Sequence, residues 1–265
     1  MDTNFIVIFS YFIVIYRIIQ LYEVLIAMSF QNQFTKTTTD ANLMETVHHG
    51  SAEYPFRYYY ENIALFDFKC IDWHWHSELE FIYIESGNVV FDIGTVHFEL
   101  NEGNGIMINS KILHRLQSSS DAIIPNFLFQ PSFIAPQDSL IYKKYINPVI
   151  SSSLEYLVFQ PDIPWQKKAL EIIKTIITVQ ETEFNREIIV SMSVQQLWIL
   201  LLENLTFDQF ENMGAVISRT RLQLMMQYVH AHYSENITLE DIARTANISK
   251  STALHLFQNN LKLTP

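Results

Sequence analysis

The chain has 265 residues, 49% of them hydrophobic and 17% charged, with a formal net charge of −11. That length holds two ordinary domains, and an apolar share that large builds a core, which excludes a disordered chain. The acidic balance excludes a surface that coats nucleic acid at large; the single cysteine, Cys70, excludes an internal disulfide and suits a reducing, cytoplasmic setting.

Residues 1–27 are strongly apolar from Phe5 onward but are interrupted by Arg17, Gln20 and Glu23. A transmembrane helix needs about 20 apolar residues, and each mid-span charge costs roughly 2.5–3.5 kcal/mol. The run is a marginal span, and no membrane partner is expected. Three readings stay open: initiation at Met28, which leaves 1–27 outside the working protein, an amphipathic helix, and a membrane anchor. Residues 28–53 read as a polar, loosely ordered arm.

Residues 54–145 hold short runs of β-branched and aromatic residues, such as LEFIYIESG, NVVFDIG and TVHFEL, separated by Gly/Asn turns. Regular short strands with such turns predict an all-β barrel or sandwich. Trp73, Trp75, Phe81, Tyr83 and Phe91 read as core. After Pro164 the period lengthens. Residues 146–212 read as a helical linker, with Leu170, Ile173 and Ile177 on one helix and Ile188, Met192, Leu197 and Leu201 on the next. The second helix is apolar on much of its circumference, as expected if it also meets a partner, so a homodimer is predicted. A further helix is predicted over 220–233.

The β segment carries its most specific pattern at His74, His76, Glu80 and Gly87, with His114 further on. Two histidines two apart share one strand face, and three imidazoles with a carboxylate can hold a divalent transition metal. The same four residues also suit the polar lining of an organic effector pocket, or hydrogen-bonded core histidines. The effector pocket is carried forward with no cofactor assigned; the metal is its alternative.

Residues 213–265 end in two short helices. Thr238 and Asp241 form a capping box, and Leu239, Ile242, Ala243 and Ala246 follow on one face. Asn247-Ile248 breaks the pattern and Ser249 caps a second helix. There Ala253, Leu256, Phe257 and Leu261 oppose Ser251, His255 and Gln258. A helix pair with a polar outward stripe on its second member fits a helix-turn-helix. Arg219, Arg221, Arg244, Lys250 and Lys262 outnumber Glu235, Glu240 and Asp241, a thin positive footprint on an acidic chain.

The β pattern resembles the cupin barrel: HxH-x3-E-x6-G is met by His74, His76, Glu80 and Gly87. The second cupin motif is met in part. Gly103 and His114 are in register, Asn109, Lys111 and Ser118 replace Pro, Gly and Asn, and Phe68 stands where a Gly precedes His74. A degenerate cupin, a helical linker and TLEDIARTANISKSTALHLFQNNLKLTP together resemble the AraC/XylS type of bacterial transcription regulator. The resemblance implies an α+β chain: an N-terminal cupin-like β-barrel, a helical linker and an incomplete C-terminal helix-turn-helix. It implies a regulator, not an enzyme, whose barrel binds a small-molecule effector and whose C-terminal part binds DNA through Lys250, Ser251, Thr252, His255, Gln258 and Asn259. Family members carry two helix-turn-helix units, and this chain ends about where the joining helix begins. The resemblance therefore implies a regulator truncated after its first unit, with weakened DNA binding. Two alternatives remain: an effector-binding, dimerising protein without DNA binding, and a metal-dependent cupin enzyme.

Overall fold

A computed structural model describes residues 36–40, 43–94, 96–182, 184–205, scattered positions in 218–233, then 235–261 and 264. The apolar stretch 1–27 lies outside them, as does much of the helix expected over 220–233. Among the described residues no helix is long and apolar enough to cross a membrane.

Among the described residues nine strands form two antiparallel sheets. One holds β1 (Phe56–Asn62), β3 (Leu79–Tyr83), β6 (Gly105–Ile108), β8 (Ile123–Phe129) and β9 (Tyr156–Phe159), in the order β1-β8-β3-β6-β9. The other holds β2 (Cys70–His74), β4 (Asn88–Ile93), β5 (Val96–Asn101) and β7 (His114–Gln117), in the order β2-β7-β4-β5. Strand β9 falls in the stretch read from sequence as helical linker. Its four residues are too few to show a period, but it pairs with β6 from Gly105↔Phe159 to Ile108↔Tyr156, so the barrel extends past residue 145.

Strand alternation sorts the side chains into two cores. On β3, Leu79 and Phe81 face outward into one cluster, while Ile82 joins the cluster between the sheets with Val89, Phe91, Ile93 and Ile106. The outward cluster is aromatic: Phe81 stacks on Phe127 (centroids 5.3 Å apart) and lies near Phe159. Helices α1 (Pro164–Thr178) and α2 (Arg186–Asn204) cover it through Leu170, Ile173, Val194, Leu197, Trp198 and Leu201. The helices approach closely because β6 begins with Gly105, where a Cβ would come within 2.9 Å of Leu170 Cδ2.

The apolar residues of α2 do not share one face. Leu197 and Leu201 are buried, whereas Ile188 and Met192 are 61% and 57% exposed. At 3.6 residues per turn the two pairs lie on nearly opposite sides of the helix. Ile199 extends the outer stripe.

Near the C-terminus, α3 (Leu239–Thr245) and α4 (Lys250–Leu261) form a helix pair. The capping box is present: Asp241 N–H donates to Thr238 Oγ1, and Thr238 N–H donates to Asp241 Oδ2. Asn247 makes the turn at φ 52°, a left-handed conformation that Asn tolerates better than most residues. Ser249 Oγ accepts from Thr252 N–H and caps α4.

Gly87 sits at φ +80°, and a Cβ there would lie 2.5 Å from the Asp121 carbonyl oxygen. Gly87→Ala should therefore destabilise the barrel by about 1–3 kcal/mol, read as a lowered urea midpoint at unchanged m-value.

Candidate functional site

The site is assembled from both sheets. His74 ends β2 and His114 begins β7, and the two are paired across the ladder. His76 follows in the turn into β3. Glu80 enters from β3 in the other sheet, pointed inward because its neighbours Leu79 and Phe81 point out. All four side chains are buried. The His74 and His114 ring centroids are 4.1 Å apart, and those of His76 and His114 5.2 Å.

The three rings share one orientation device. Nδ1 of His74 lies 2.8 Å from the Asp72 carbonyl oxygen, Nδ1 of His76 3.2 Å from that of Glu78, and Nδ1 of His114 2.8 Å from that of Ile112. A carbonyl only accepts, so each Nδ1 carries a proton and donates it. In the neutral ring that leaves Nε2 as a bare lone pair. His76 Nε2 lies 3.3 Å and His114 Nε2 3.2 Å from Glu80 Oε2. His114 Nε2 is buried and makes no well-aligned hydrogen bond among the described residues.

Lone pairs and a carboxylate facing one another repel unless positive charge lies between them. Without a cation, a proton serves. Burial opposes charge on His76, but the hydrogen bond and charge of Glu80 outweigh it and raise its pKa. Burial also works to raise Glu80, but the contacts from His114 and His76 hold it well below the usual carboxylate range. Burial, aided by the charge of His114, pushes His74 down to about 3, so it stays neutral.

The same arrangement fits a divalent cation. The nitrogens of His74, His76 and His114 that could bind one all lie within 4.8 Å of one another. Backbone carbonyls on Nδ1 are the supporting contacts that metal-binding histidines ordinarily have. In the sequence the second cupin motif is met only in part. The structure shows how this chain replaces that motif. Lys111, in place of Gly, keeps a left-handed φ of 62°, and its N–H donates to the His76 carbonyl. Asn109, in place of Pro, donates through Nδ2 to the carbonyls of Val149 and Leu154 and accepts from Ser110 N–H. Ser118, in place of Asn, donates to the Asn88 carbonyl. Phe68, in place of Gly, is fully exposed at φ 59°.

The polar arm is more closely tied to the barrel than its composition suggests. Trp75 N–H donates to the Leu43 carbonyl and Glu45 N–H to the Trp75 carbonyl, so the segment adds a parallel bridge at the residue between the two histidines. His49 is buried, with Nε2 3.1 Å from Glu45 Oε2 and Nδ1 3.0 Å from the Tyr59 hydroxyl. Glu45, His49 and Tyr59 line one cavity of about 40 Å³ with His74 and Glu80. Sequence reasoning missed these three; Glu45 and His49 stand four apart on a polar stretch with no period to mark them.

Of the residues expected to read DNA, Lys250, Ser251, Thr252, His255 and Gln258 are exposed along α4, opposite buried Ala253, Leu256 and Phe257. The Asn259 side chain lies outside the described set. Lys250 Nζ is 3.1 Å from Glu240 Oε2 on α3.

The AraC-like ligand binding domain family matches residues 66–136. Over 233 residues, 85% of this chain and 78% of the relative, the sequence is 33% identical to YdeC of Bacillus subtilis (strain 168), an uncharacterized HTH-type transcriptional regulator. The chain belongs to the AraC-type transcription regulators. A second relative, the lactose operon transcription activator of Staphylococcus xylosus, is 23% identical over 143 residues, 52% of this chain and 50% of that protein. The solved structure of ToxT from Vibrio cholerae O395 is 12% identical and covers 80% of this chain and 97% of ToxT, with a TM-score of 0.36.

Phe68 makes a direct test of the replaced motif. A left-handed non-glycine residue costs about 1–2 kcal/mol, and glycine returns part of that through the freer unfolded chain. Phe68→Gly should raise stability by about 0.5–1 kcal/mol in urea unfolding; a loss would show that the exposed ring holds something in place.

Proposed function

We propose that this AraC-type regulator binds DNA through α4, and that the occupant of the barrel site sets how well it does so. The observation that carries the DNA reading is the division of α4 into a buried apolar face and an exposed stripe of Lys250, Ser251, Thr252, His255 and Gln258. Hydroxyl, imidazole and amide groups on such a face suit contacts to phosphates and base edges. The single lysine of the stripe predicts a modest electrostatic contribution. With DNA fragments selected from a random pool, Lys250→Ala should weaken binding and reduce the salt slope by about 1. Unchanged affinity and slope in a gel-shift series would refute the assigned stripe.

The occupant that the barrel site suits best is a divalent transition cation. His74, His76 and His114 would hold it through Nε2 and Glu80 through Oε2. An organic effector pocket ordinarily spans roughly 300–1,000 Å³, whereas the cavity that His74 and Glu80 line is about 40 Å³, room for water-sized groups. When bound, such a cation supplies fixed positive charge at a point where three lone pairs and a carboxylate converge. The residues prepare for it: three backbone carbonyls set the tautomers, and two sheets set the spacing. Titration of the full chain with Zn(II) or Mn(II) should show about one equivalent bound. His114→Ala should weaken binding about 100-fold or more and remove any effect of the cation on DNA affinity. DNA affinity indifferent to the cation in the wild type would overturn the sensor reading.

Self-association belongs to the same proposal. Ile188, Met192 and Ile199 form an exposed apolar stripe on α2, beside a groove between α1 and α2 lined by Ile172, Thr175 and Leu200. A dimer through this stripe presents two copies of α4 to DNA. Met192→Glu should convert the dimer to monomer in light scattering without lowering the urea midpoint, because Met192 already faces water.

A further inference from the structure

The three histidines of the barrel site are not held alike. His74 and His114 donate from Nδ1 to the carbonyls of Asp72 and Ile112, each two residues earlier in the chain. His76 donates to the carbonyl of Glu78, two residues later. Asp72 belongs to strand β2, whereas Ser77 and Glu78 lie between β2 and β3, where side chains have to hold the backbone in place. Those side chains form a closed ring. Gln130 Nε2 donates to Glu78 Oε1 at 2.5 Å and to Ser77 Oγ at 2.8 Å, and Ser77 Oγ donates to Glu78 Oε2 at 3.3 Å. Ser110 Oγ donates to the Ser77 carbonyl at 2.7 Å, and Lys111 N–H to the His76 carbonyl at 2.8 Å. Gln130 is fixed in turn: it follows β8, and its carbonyl accepts from the N–H of Phe133, which packs against the layer under α1 and α2.

Glu78 is buried, and both of its carboxylate oxygens accept hydrogen bonds, from an amide and a hydroxyl that carry no charge. The ionisable group that faces it is His76, whose Nδ1 lies 3.9 Å from Glu78 Oε2. That distance is too long for a hydrogen bond but short enough for a strong field in a buried site. His76 therefore stands between two carboxylates, Glu80 at 3.3 Å from Nε2 and Glu78 behind Nδ1. Among the described residues, the rings of His74 and His114 are met on the Nδ1 side by a backbone carbonyl.

Resting on the reading of a cation in this site, we infer that Glu78 is a positioning residue of that site and acts on the cation through His76. Its carbonyl holds the Nδ1 proton and so aims Nε2 at the centre. Its carboxylate, fixed by Gln130 and Ser77, sets negative charge behind the same ring. Such charge raises the basicity of a metal-binding imidazole. His76 is thereby the strongest of the three nitrogen ligands. Its strength is set through Gln130, from the outer layer of the fold, rather than from the ladder that pairs His74 with His114.

The test uses the full chain with Zn(II) alone, in wild type, Glu78→Gln, Gln130→Met, the double variant and His76→Ala. Affinity is read by chelator competition, and NMR follows the Nδ1–H protons of the three histidines in the Zn(II)-saturated chain. Glu78→Gln keeps the backbone carbonyl and an oxygen for Gln130 but removes the charge. It should weaken Zn(II) binding about tenfold or more. It should also move the His76 Nδ1–H resonance upfield and leave those of His74 and His114 in place. Gln130→Met frees the carboxylate and should weaken binding by a smaller factor. In the double variant it should add nothing to the loss, because Gln130 acts through Glu78. Unaltered affinity in Glu78→Gln, with wild-type binding intact and lost in His76→Ala, would overturn this inference alone. So would equal movement of all three resonances, the mark of a general loss of structure. Absence of Zn(II) binding by the wild type would overturn the cation reading and this inference with it.

Discussion

The barrel of this protein is organised around one buried carboxylate. Glu80 lies within 3.3 Å of two imidazole nitrogens, His76 Nε2 and His114 Nε2, in a site largely closed to solvent. A charge there is tolerated only with positive charge beside it. Much of the local structure serves that condition. Carbonyls of Asp72, Glu78 and Ile112 turn each ring so that Nε2 faces inward. The β2–β7 ladder sets His74 opposite His114, and the left-handed Lys111 ties the loop before His114 to the His76 backbone.

The strand that carries Glu80 also links the site to the rest of the chain. Phe81, the next residue, is packed in the aromatic layer beneath α1 and α2. The two faces of β3 thus meet two different tasks, a polar centre inside and the helical cover outside. A change in the position of Glu80 has a short mechanical route to the helices whose outer stripe is exposed. Such contiguity makes coupling physically reasonable, and its size is a matter for measured energies rather than proximity.

Much of this was legible in the sequence. The capping box at Thr238 and Asp241, the turn at Asn247 and the buried face of α4 follow from local rules that tertiary contacts did not override. So does the grouping of His74, His76, Glu80 and His114, because a strand period of two and a cupin-like spacing place them together. The division of α2 was less legible: Ile188, Met192, Leu197 and Leu201 are all apolar, and only the register of packing shows which pair faces the core. Strand β9 was hidden by its length. The arm was hidden by its chemistry, since Glu45 and His49 are ordinary polar residues until a sheet edge brings them to a buried histidine.

By itself the sequence determined the kind of elements this chain forms, the four residues at the barrel centre and the helix pair near its end. The elements and the helix pair depend on period, capping and turn chemistry, which act over a few residues, whereas His114 joins His74, His76 and Glu80 through the cupin-like spacing. Only the tertiary structure decided which nitrogen of each histidine faces the centre, how Asn109, Lys111 and Ser118 stand in for a missing motif, and that the N-terminal segment pairs with Trp75 between the two histidines. Those outcomes depend on groups up to 45 residues apart, as Asn109 and Leu154 are. A carbonyl, a left-handed residue or a lone carboxylate gains its meaning there only from what packing places against it.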